Sequence, residues 1–553
     1  MNQAWALMGL ARRSLAATAL VLAALPAPAT AAAGSDQALL DVQRGERIYR
    51  DGTLADGAPL HGTRIDGVRV AGASAACISC HRASGVGGAE GNQLIPPVIG
   101  AVLRAPGQRA AERIGRVASG VTRSEHPAHT RAAYTAESFA QALRTGVGAS
   151  GAAMGYLMPR YELDAAALAQ LLAYLDTLSL GQAPGLGDKS LHLATIVTAD
   201  APADQREATL NIISRCLAER SPRATGQPHA LRPWQHHVWQ LGADPAQWPQ
   251  ELAKLQHQQP VFAVVSGVGG GSWIPIHQFC EREKMPCVLP NTAAVDDTLA
   301  SHWSFYFSRG VSLEAATLAE RLADEAPAGG WRRIVQRSDD TEAALLAVQA
   351  LNRRLRELGV TAEIEQQLHD PQADRALGAA LTGRDALVLW LKPRALRHFT
   401  ETAPPPRAGR VIVSGELAGL DAAPLAMAWR KRAWMVYPYA SAERRSDTVV
   451  LNTGHWMSRQ GLLLQPELSR LQGNTYSACE VSVRALQTMR ERYSREYFVE
   501  LVEAADEAAI ATAYPRFTLG PDQRYGSKGA FIMQYKAPDF TRLTATGDWI
   551  VPR

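Results

Sequence analysis

The stretch Cys77-Ile78-Ser79-Cys80-His81 decides how the first part of this 553-residue chain is interpreted. Two cysteines separated by two residues and followed directly by histidine form the attachment pattern of a c-type haem. In that chemistry each thiol adds to one haem vinyl group, and the adjacent imidazole binds the iron. A disulfide or half of a zinc site is the alternative, but no second Cys/His pair follows at the spacing that zinc requires. The motif therefore predicts one covalently attached haem c at Cys77 and Cys80, with His81 as an axial iron ligand.

A second axial ligand is expected from a methionine further along the same compact region. The segment 151–160, GAAMGYLMPR, contains Met154 and Met158. Apolar residues at helical spacing follow in segment 163–175, and they predict a helix there. Asp164 is a suitable N-cap for that helix.

These residues resemble a monohaem class I cytochrome c domain over residues 38–180. Gly45 and Tyr49 resemble the Gly-x-x-x-aromatic pattern of that family's N-terminal helix, and Tyr174 resembles the aromatic residue of the C-terminal helix that crosses it. A small residue at such a crossing lets two helix backbones approach closely. A Met-Pro dipeptide before the last helix matches the family's axial methionine. The resemblance thus implies Met158 as the ligand, with Met154 as the alternative.

A second part of the resemblance concerns the proximal side of the haem. The run 95–100, IPPVIG, is similar to the family's Pro-x-Leu-x-Gly segment, in which the proline carbonyl accepts the N–H of the proximal imidazole. Pro96 stands at the matching position, and such a bond fixes the tautomer and the orientation of the metal ligand. An ordinary extended turn is the other interpretation.

The ligand set bears directly on function. When His81 and Met158 are both bound, the iron keeps no vacant position, and such a centre transfers electrons at a raised potential instead of activating oxygen or peroxide. We therefore expect an electron carrier and not an enzyme. Haem peroxidase activity, after dissociation of the methionine, is the minor alternative.

Residues 1–33 have the pattern of a secretory signal. Arg12 and Arg13 precede an apolar core from Leu15 to Leu25, and small residues follow at the cleavage position. No later apolar run reaches the length of about 18 residues that a membrane span needs. The formal charge of +4 without basic runs does not suggest nucleic-acid binding. We expect a soluble periplasmic protein without a membrane span once the signal is removed; an uncleaved anchor is the alternative.

The remaining chain predicts a different fold class. A Gly/Pro-rich linker at 181–189 is followed by short apolar strands that alternate with amphipathic helices over 190–553. This alternation is typical of parallel sheets with covering helices. The expected strands are Leu191–Thr198, Val261–Ser266, Cys287–Pro290, Arg333–Gln336, Ala386–Leu391 and Arg410–Ser414. The expected helices include Gln205–Glu219, Trp273–Lys284, Leu313–Glu325, Thr341–Leu358 and Ala373–Leu381.

The order of these elements resembles the type 1 periplasmic solute-binding fold of the branched-chain amino-acid-binding family. The resemblance implies a multidomain protein with an N-terminal all-α cytochrome c domain and a two-lobed α/β periplasmic-binding-protein-like domain. It also implies ligand contacts by Ser272 and Thr292 with a carboxylate, and by Glu416 with an amine, as for an amino acid. The hinge tyrosines of that family are not obvious, and Trp303, Tyr306 or Trp390 are the alternatives for their role.

Four cysteines lie outside the haem motif. The short separation of Cys280 and Cys287 allows a disulfide in an oxidising compartment. Cys216 and Cys479 each lie in an apolar helical stretch, where a buried thiol is the default expectation.

Together these patterns predict a periplasmic c-type cytochrome that exchanges electrons with a redox partner, a dehydrogenase or an oxidase. The fused solute-binding-like module would dock this partner or sense a small molecule. The alternative is a substrate-binding protein of an amino-acid-type ABC importer with an accessory haem domain.

Overall fold

The structure is a computed structural model that describes residues 29–90, 93–107, 131–223, 231–271, 273–441, 449–505 and 512–553. The chain divides into two compact units. Unit one comprises residues up to Cys77 together with Thr135–Thr177, and unit two comprises Ile78–Tyr134 together with Leu178–Arg553. Most of the predicted signal, residues 1–28, lies outside the described residues.

The helices of the described residues lie in both units. In chain order they are α1 (Ala29–Asp51), α2 (Ile78–His81), α3 (Gly100–Leu103), α4 (Ala136–Thr145), α5 (Ala165–Thr177), α6 (Ala203–Arg220), α7 (Trp248–Gln258), α8 (Ile274–Arg282), α9 (Gly310–Asp324), α10 (Glu342–Glu357), α11 (Pro371–Ala380), α12 (Pro393–Thr402), α13 (Gly415–Ala418), α14 (Met427–Arg430), α15 (His455–Arg459), α16 (Ser469–Met489) and α17 (Arg495–Glu503).

The strands are concentrated in unit two. In chain order they are β1 (His61–Thr63), β2 (Arg69–Ala71), β3 (Gly88–Glu90), β4 (Gln93–Ile95), β5 (Arg160–Tyr161), β6 (Leu191–Thr198), β7 (Trp234–Leu241), β8 (Ala263–Val268), β9 (Cys287–Val288), β10 (Ser304–Ser308), β11 (Arg333–Ser338), β12 (Glu363–Leu368), β13 (Asp385–Trp390), β14 (Arg410–Ser414), β15 (Ala433–Tyr437), β16 (Tyr525–Ser527), β17 (Phe531–Tyr535) and β18 (Leu543–Ala545).

In unit one, α1 packs closely against α5. A Cβ atom on Gly45 would lie 1.9 Å from the carbonyl oxygen of Gln170, so only glycine fits this crossing. The rings of Tyr49 and Tyr174 are in contact, with centroids 5.3 Å apart. The predicted helix crossing is therefore confirmed. A small antiparallel sheet of order β2-β1-β5 accompanies the helices, so the expected all-α class is not shown by unit one.

Unit two contains two large sheets. The six-stranded sheet has the order β16-β10-β9-β8-β6-β7, and all its pairings are parallel. The seven-stranded sheet has the order β12-β11-β13-β14-β15-β17-β18; it is parallel up to β15, and β17 and β18 then add antiparallel strands. Strands β8 and β13 are buried along their whole length, as expected for parallel strands covered on both faces. The predicted α/β architecture with parallel sheets is confirmed.

The segment predicted as a linker, 181–189, lies against the core of unit two. The Gly181 N–H donates to the Tyr493 carbonyl oxygen at 2.7 Å, and Ala183 and Leu186 pack on the main hydrophobic core. A Cβ atom on Gly185 would lie 2.0 Å from the Phe262 nitrogen. This segment is thus held along its length, while the predicted limits of the flanking domains stay predictions.

Two disulfides connect elements of unit two. Cys280, in α8, is bonded to Cys287, at the start of β9, as the sequence allowed. Cys216 in α6 is bonded to Cys479 in α16 across 263 residues. The expectation of two buried thiols at Cys216 and Cys479 was therefore wrong, because tertiary packing brings the two helices side by side.

Candidate haem site and ligand cleft

The two cysteines of the motif lie just before and within a single helical turn. Cys77 immediately precedes α2, and Cys80 and His81 are its last two residues. Residues three apart on a helical turn lie on one side of it, which is the placement that two attachments to one flat ring require. Cys77 and Cys80 are half-buried and belong to neither disulfide, although the other four cysteines of the chain are all oxidised.

His81 is almost fully buried, with 5% of its surface exposed. Its Nδ1 lies 2.9 Å from the carbonyl oxygen of Pro96. Since a carbonyl only accepts, Nδ1 carries the proton, and Nε2 is the nitrogen that has a lone pair for a metal. Burial lowers the pKa of His81 below its ordinary value, and the bond to Pro96 opposes this effect. The Pro96 carbonyl, the acceptor that the resemblance implied, thus fixes the orientation of the His81 ring and leaves Nε2 available to a metal.

The loop after His81 folds back tightly on the motif. The Gly87 N–H donates to the His81 carbonyl oxygen at 3.1 Å. Gly87 has φ of +74°, and a Cβ atom there would lie 2.2 Å from the Ile95 carbonyl oxygen. Only glycine therefore permits this return of the chain beside the histidine.

The two candidate methionines belong to unit one. The Met154 N–H donates to the Gly146 carbonyl oxygen at 2.8 Å, and the Met158 N–H donates to the Gly155 carbonyl oxygen at 3.1 Å. Both side chains are half-buried, and the Arg160 guanidinium donates to the carbonyl oxygen of Met158. These bonds hold the backbone of the segment, while the choice of Met158 as iron ligand stays a prediction.

The residues of the motif fit a haem. Two thiols would provide the thioether attachments, and a buried imidazole with its proton on Nδ1 would provide one axial bond. When bound, such a haem supplies reversible one-electron oxidation and reduction of its iron. Among the described residues, no cluster of three or more metal-binding side chains offers a separate metal site.

The predicted ligand acid of the larger module, Glu416, already has partners from its own chain. It lies in the first turn of α13, directly after β14, and its side chain is only 6% exposed. The Tyr439 hydroxyl donates to one carboxylate oxygen, and the Arg470 guanidinium lies 3.4 Å from the other. Arg470 also donates to the Tyr439 hydroxyl at 2.9 Å. Because burial raises the pKa of Tyr439 well above its ordinary value, that phenol stays protonated and keeps donating. A cation of the protein thus stands where a ligand amine was expected.

A second buried acid lies behind Glu416. One carboxylate oxygen of Glu314 accepts the Glu416 backbone N–H at 2.8 Å, and the other is bonded to the Ser414 hydroxyl. Burial raises the pKa of Glu314 to about 8. Glu314 is therefore largely protonated at neutral pH and adds little charge beside Glu416.

The glycine-rich loop after β8, residues 269–271, is also bonded to other side chains of the protein. The Gly270 N–H donates to the Asp200 carboxylate at 3.3 Å, and the Gly270 carbonyl oxygen accepts from the Lys392 ammonium at 2.8 Å. Lys392 follows β13, so this bond joins the loop of one sheet to the end of a strand in the other. Ser272 lies outside the described residues. Thr292 accepts the N–H of Ala294 at 3.2 Å and thus caps its own turn.

The aromatic residues proposed for the hinge role are hydrogen-bonded or packed away from Glu416. Trp390 donates to Gln336, the Tyr306 hydroxyl is bonded to His277, and Trp303 is buried in the main core. Tyr439 and Tyr514, whose hydroxyls lie 2.8 Å apart, are the aromatic residues beside Glu416. Tyr439 could have been identified from the sequence because it closely follows an apolar strand, and ligands of α/β sheets bind at the carboxyl ends of strands.

Comparisons with known proteins agree with the description of the haem motif and with that of the α/β sheets. Residues 66–179 match the family model described as Cytochrome c. No curated protein matches the chain.

Among solved structures, a branched chain amino acid ABC transporter from Thermus thermophilus with bound valine has a TM-score of 0.50 at 11% identity, covering 66% of this chain and 97% of that chain. A substrate-binding protein of an ABC transporter from Aeropyrum pernix has a TM-score of 0.49 at 12% identity, covering 66% and 97% of the two chains. A leucine binding protein from Thermotoga maritima has a TM-score of 0.47 at 12% identity, covering 66% and 99%. Identities this low show the fold alone.

No helix among the described residues is both long and apolar enough to span a membrane. The chain thus contains a region, residues 66–179, that matches the cytochrome c family, and 66% of the chain shares the fold of the branched chain amino acid ABC transporter protein from Thermus thermophilus.

Proposed function

We propose that this protein is an exported electron carrier with one haem c, attached through Cys77 and Cys80. His81 is its proximal ligand and Met158 its distal ligand. The observation that carries the proposal is the buried His81 ring, whose Nδ1 is bonded to Pro96 at 2.9 Å directly after the cysteine pair. Pro96 holds the ring in one tautomer and one orientation, so the ligand does not rearrange when the charge of the site changes.

The compartment follows from the cysteine chemistry. Two disulfides in one chain are typical of an oxidising compartment, and thioether attachment of haem takes place outside the cytoplasmic membrane. Together with the signal pattern of residues 1–33, this supports the periplasm as the place of function. A periplasmic dehydrogenase or oxidase is then the class of redox partner.

For the larger module we propose a docking role instead of amino-acid delivery. The Glu416 carboxylate is neutralised by Arg470, and the glycine loop is bonded to Asp200 and Lys392. An incoming amino acid would have to break these bonds before it made its own, and uncompensated buried charge is costly. A fixed module of this kind is better suited to present a surface to a redox partner than to close around a solute.

The test uses the haem-loaded full-length protein. An electron carrier with two axial ligands gives a low-spin spectrum, is reduced and reoxidised reversibly, and does not bind carbon monoxide in its reduced form. Rapid carbon monoxide binding by the wild-type protein would contradict the proposal and favour the peroxidase alternative. Reversible redox cycling without any carbon monoxide adduct is the expected result.

A further inference from the structure

The loop that follows the haem-binding histidine is anchored to a distant part of unit two. Glu500, in α17, is 5% exposed, and both of its carboxylate oxygens accept bonds from Ser84. The Ser84 N–H donates to Oε1 at 2.7 Å, and the Ser84 hydroxyl donates to Oε2 at 2.8 Å. The two residues are 416 positions apart in the sequence. Bidentate recognition of a buried carboxylate at these distances fixes its orientation.

Ser84 is tied to His81 through a short, rigid loop. The Ser84 hydroxyl accepts the Val86 N–H at 3.1 Å, and the next residue, Gly87, donates to the His81 carbonyl oxygen at 3.1 Å. The Val98 N–H donates to the Gly85 carbonyl oxygen at 2.8 Å, which joins the loop to the segment that carries the Pro96 acceptor. These backbone bonds connect the loop of Ser84 to His81 and to the segment that carries Pro96.

The burial of the Glu500 carboxylate is only partly compensated by its hydrogen bonds and by nearby charge. The charged groups that act on it are Arg82, from the same loop as Ser84, and Glu496, from its own helix; the Tyr497 ring lies on that helix as well. Glu496 is itself bonded to His302 at 3.0 Å. Burial is the largest effect and raises the pKa of Glu500 to about 7, against the opposing bonds from Ser84 and the charge of Arg82. The charge of this carboxyl group therefore changes near neutral pH.

We propose that Glu500 is a positioning residue of the haem site, supplied by the solute-binding-like part of the chain, and that its negative charge lowers the reduction potential of the haem. This inference rests on the proposed function, since it presupposes a haem at His81. A carboxylate held close to the haem loop favours the oxidised, more positive iron. Reduction of a haem bound at His81 would raise the proton affinity of Glu500, so near pH 7 the electron from the redox partner would be accompanied by uptake of a proton from solvent at the Glu500 carboxylate.

The test compares two glutamates of the same helix. Glu500→Gln keeps a side chain that can still bond Ser84 but removes the charge. Glu503→Gln is the matched control, because Glu503 is also partly buried and bonded, to Arg524 at 2.6 Å. The midpoint potential of each haem-loaded full-length protein is measured by spectroelectrochemistry at several pH values on both sides of about 7.

The wild-type potential should fall as pH rises through about 7, because the ionised Glu500 favours ferric iron. Glu500→Gln should shift the potential upward at high pH and lose most of this slope, whereas Glu503→Gln should keep both. A Glu500→Gln protein that carries haem and retains the wild-type potential and slope would overturn the inference.

A second variant covers the case in which Glu500→Gln does not fold. Ser84→Ala removes one of the two bonds to the carboxylate, so the inflection of potential against pH should move to higher pH. An inflection that does not move would also count against the inference. A wild-type protein that carries no covalent haem would instead refute the proposed function.

Discussion

The stabilisation that the Cys216–Cys479 disulfide gives can be estimated from the length of chain that it closes. It closes a loop of 263 residues between α6 and α16, whereas Cys280–Cys287 closes a loop of 7. In the chain-entropy description, a cross-link removes conformations of the unfolded chain, and the stabilisation grows with the logarithm of loop length. For 263 residues this gives about 5.5 kcal/mol near 25 °C, and for 7 residues about 2 kcal/mol.

The comparison uses the double variants Cys216→Ala/Cys479→Ala and Cys280→Ala/Cys287→Ala. We expect the first to lose about 3 kcal/mol more unfolding free energy than the second, which is a large part of the total stability of a typical domain. Urea unfolding followed by tryptophan fluorescence reports on the correct part of the molecule, because every tryptophan except Trp5 lies in unit two. A long-loop variant that unfolds at the same urea concentration as the short-loop variant, or at a higher one, would refute the reasoning.

Three further predictions concern the two sites. Met158→Ala should give a high-spin or ligand-accepting iron in the visible spectrum, whereas Met154→Ala should keep the wild-type spectrum; the reverse result would make Met154 the ligand. Because the pKa of Glu314 is raised to about 8, the folded state binds its proton more tightly than the unfolded state, so the contribution of Glu314 to stability is fully present below the ordinary carboxyl pKa and is lost as pH rises towards 8. Glu314→Gln should reduce the difference in unfolding free energy between about pH 5 and pH 8 by a few kcal/mol, measured from urea midpoints. An unchanged difference would contradict the raised pKa of Glu314. Millimolar valine or leucine should not raise the thermal midpoint of the wild type, and a saturable rise with either amino acid would contradict the docking role. Arg470→Met should lower that midpoint, because the buried Glu416 carboxylate loses its cationic partner.

The strands of unit two show which elements local sequence can predict. Both ends of strand β6, Leu191–Thr198, agree with the prediction, since this segment is rich in aliphatic and β-branched residues and is buried in the sheet. Strand β7, Trp234–Leu241, was missed because it lies at the sheet edge, where histidines and glutamines alternate with apolar residues. Strand β12, Glu363–Leu368, was missed for the same reason, with acidic residues and glutamines on an exposed edge.

In the candidate sites, too, local motifs could be predicted from the sequence, whereas contacts between distant segments could not. The positions of Cys77, Cys80 and His81 follow from one short motif, and the Gly45 crossing follows from a local helical pattern. The contacts of Ser84 with Glu500 and of Glu416 with Arg470 depend on where distant helices pack, and no local pattern encodes them. The same holds for the Cys216–Cys479 disulfide, since an apolar helical cysteine has the same appearance in sequence whether it is a thiol or a half-cystine.

The covalent attachment of haem at the motif cysteines is the central claim, and intact-protein mass spectrometry of denatured material tests it most directly. The protein is produced in a host with c-type haem maturation, together with Cys77→Ala/Cys80→Ala and, as a control, Cys280→Ala/Cys287→Ala. The account predicts that the wild type and the control each carry the added mass of one haem, and that the motif variant does not. A wild-type chain with the mass of the bare polypeptide, beside a haem-loaded reference cytochrome from the same host, would contradict it.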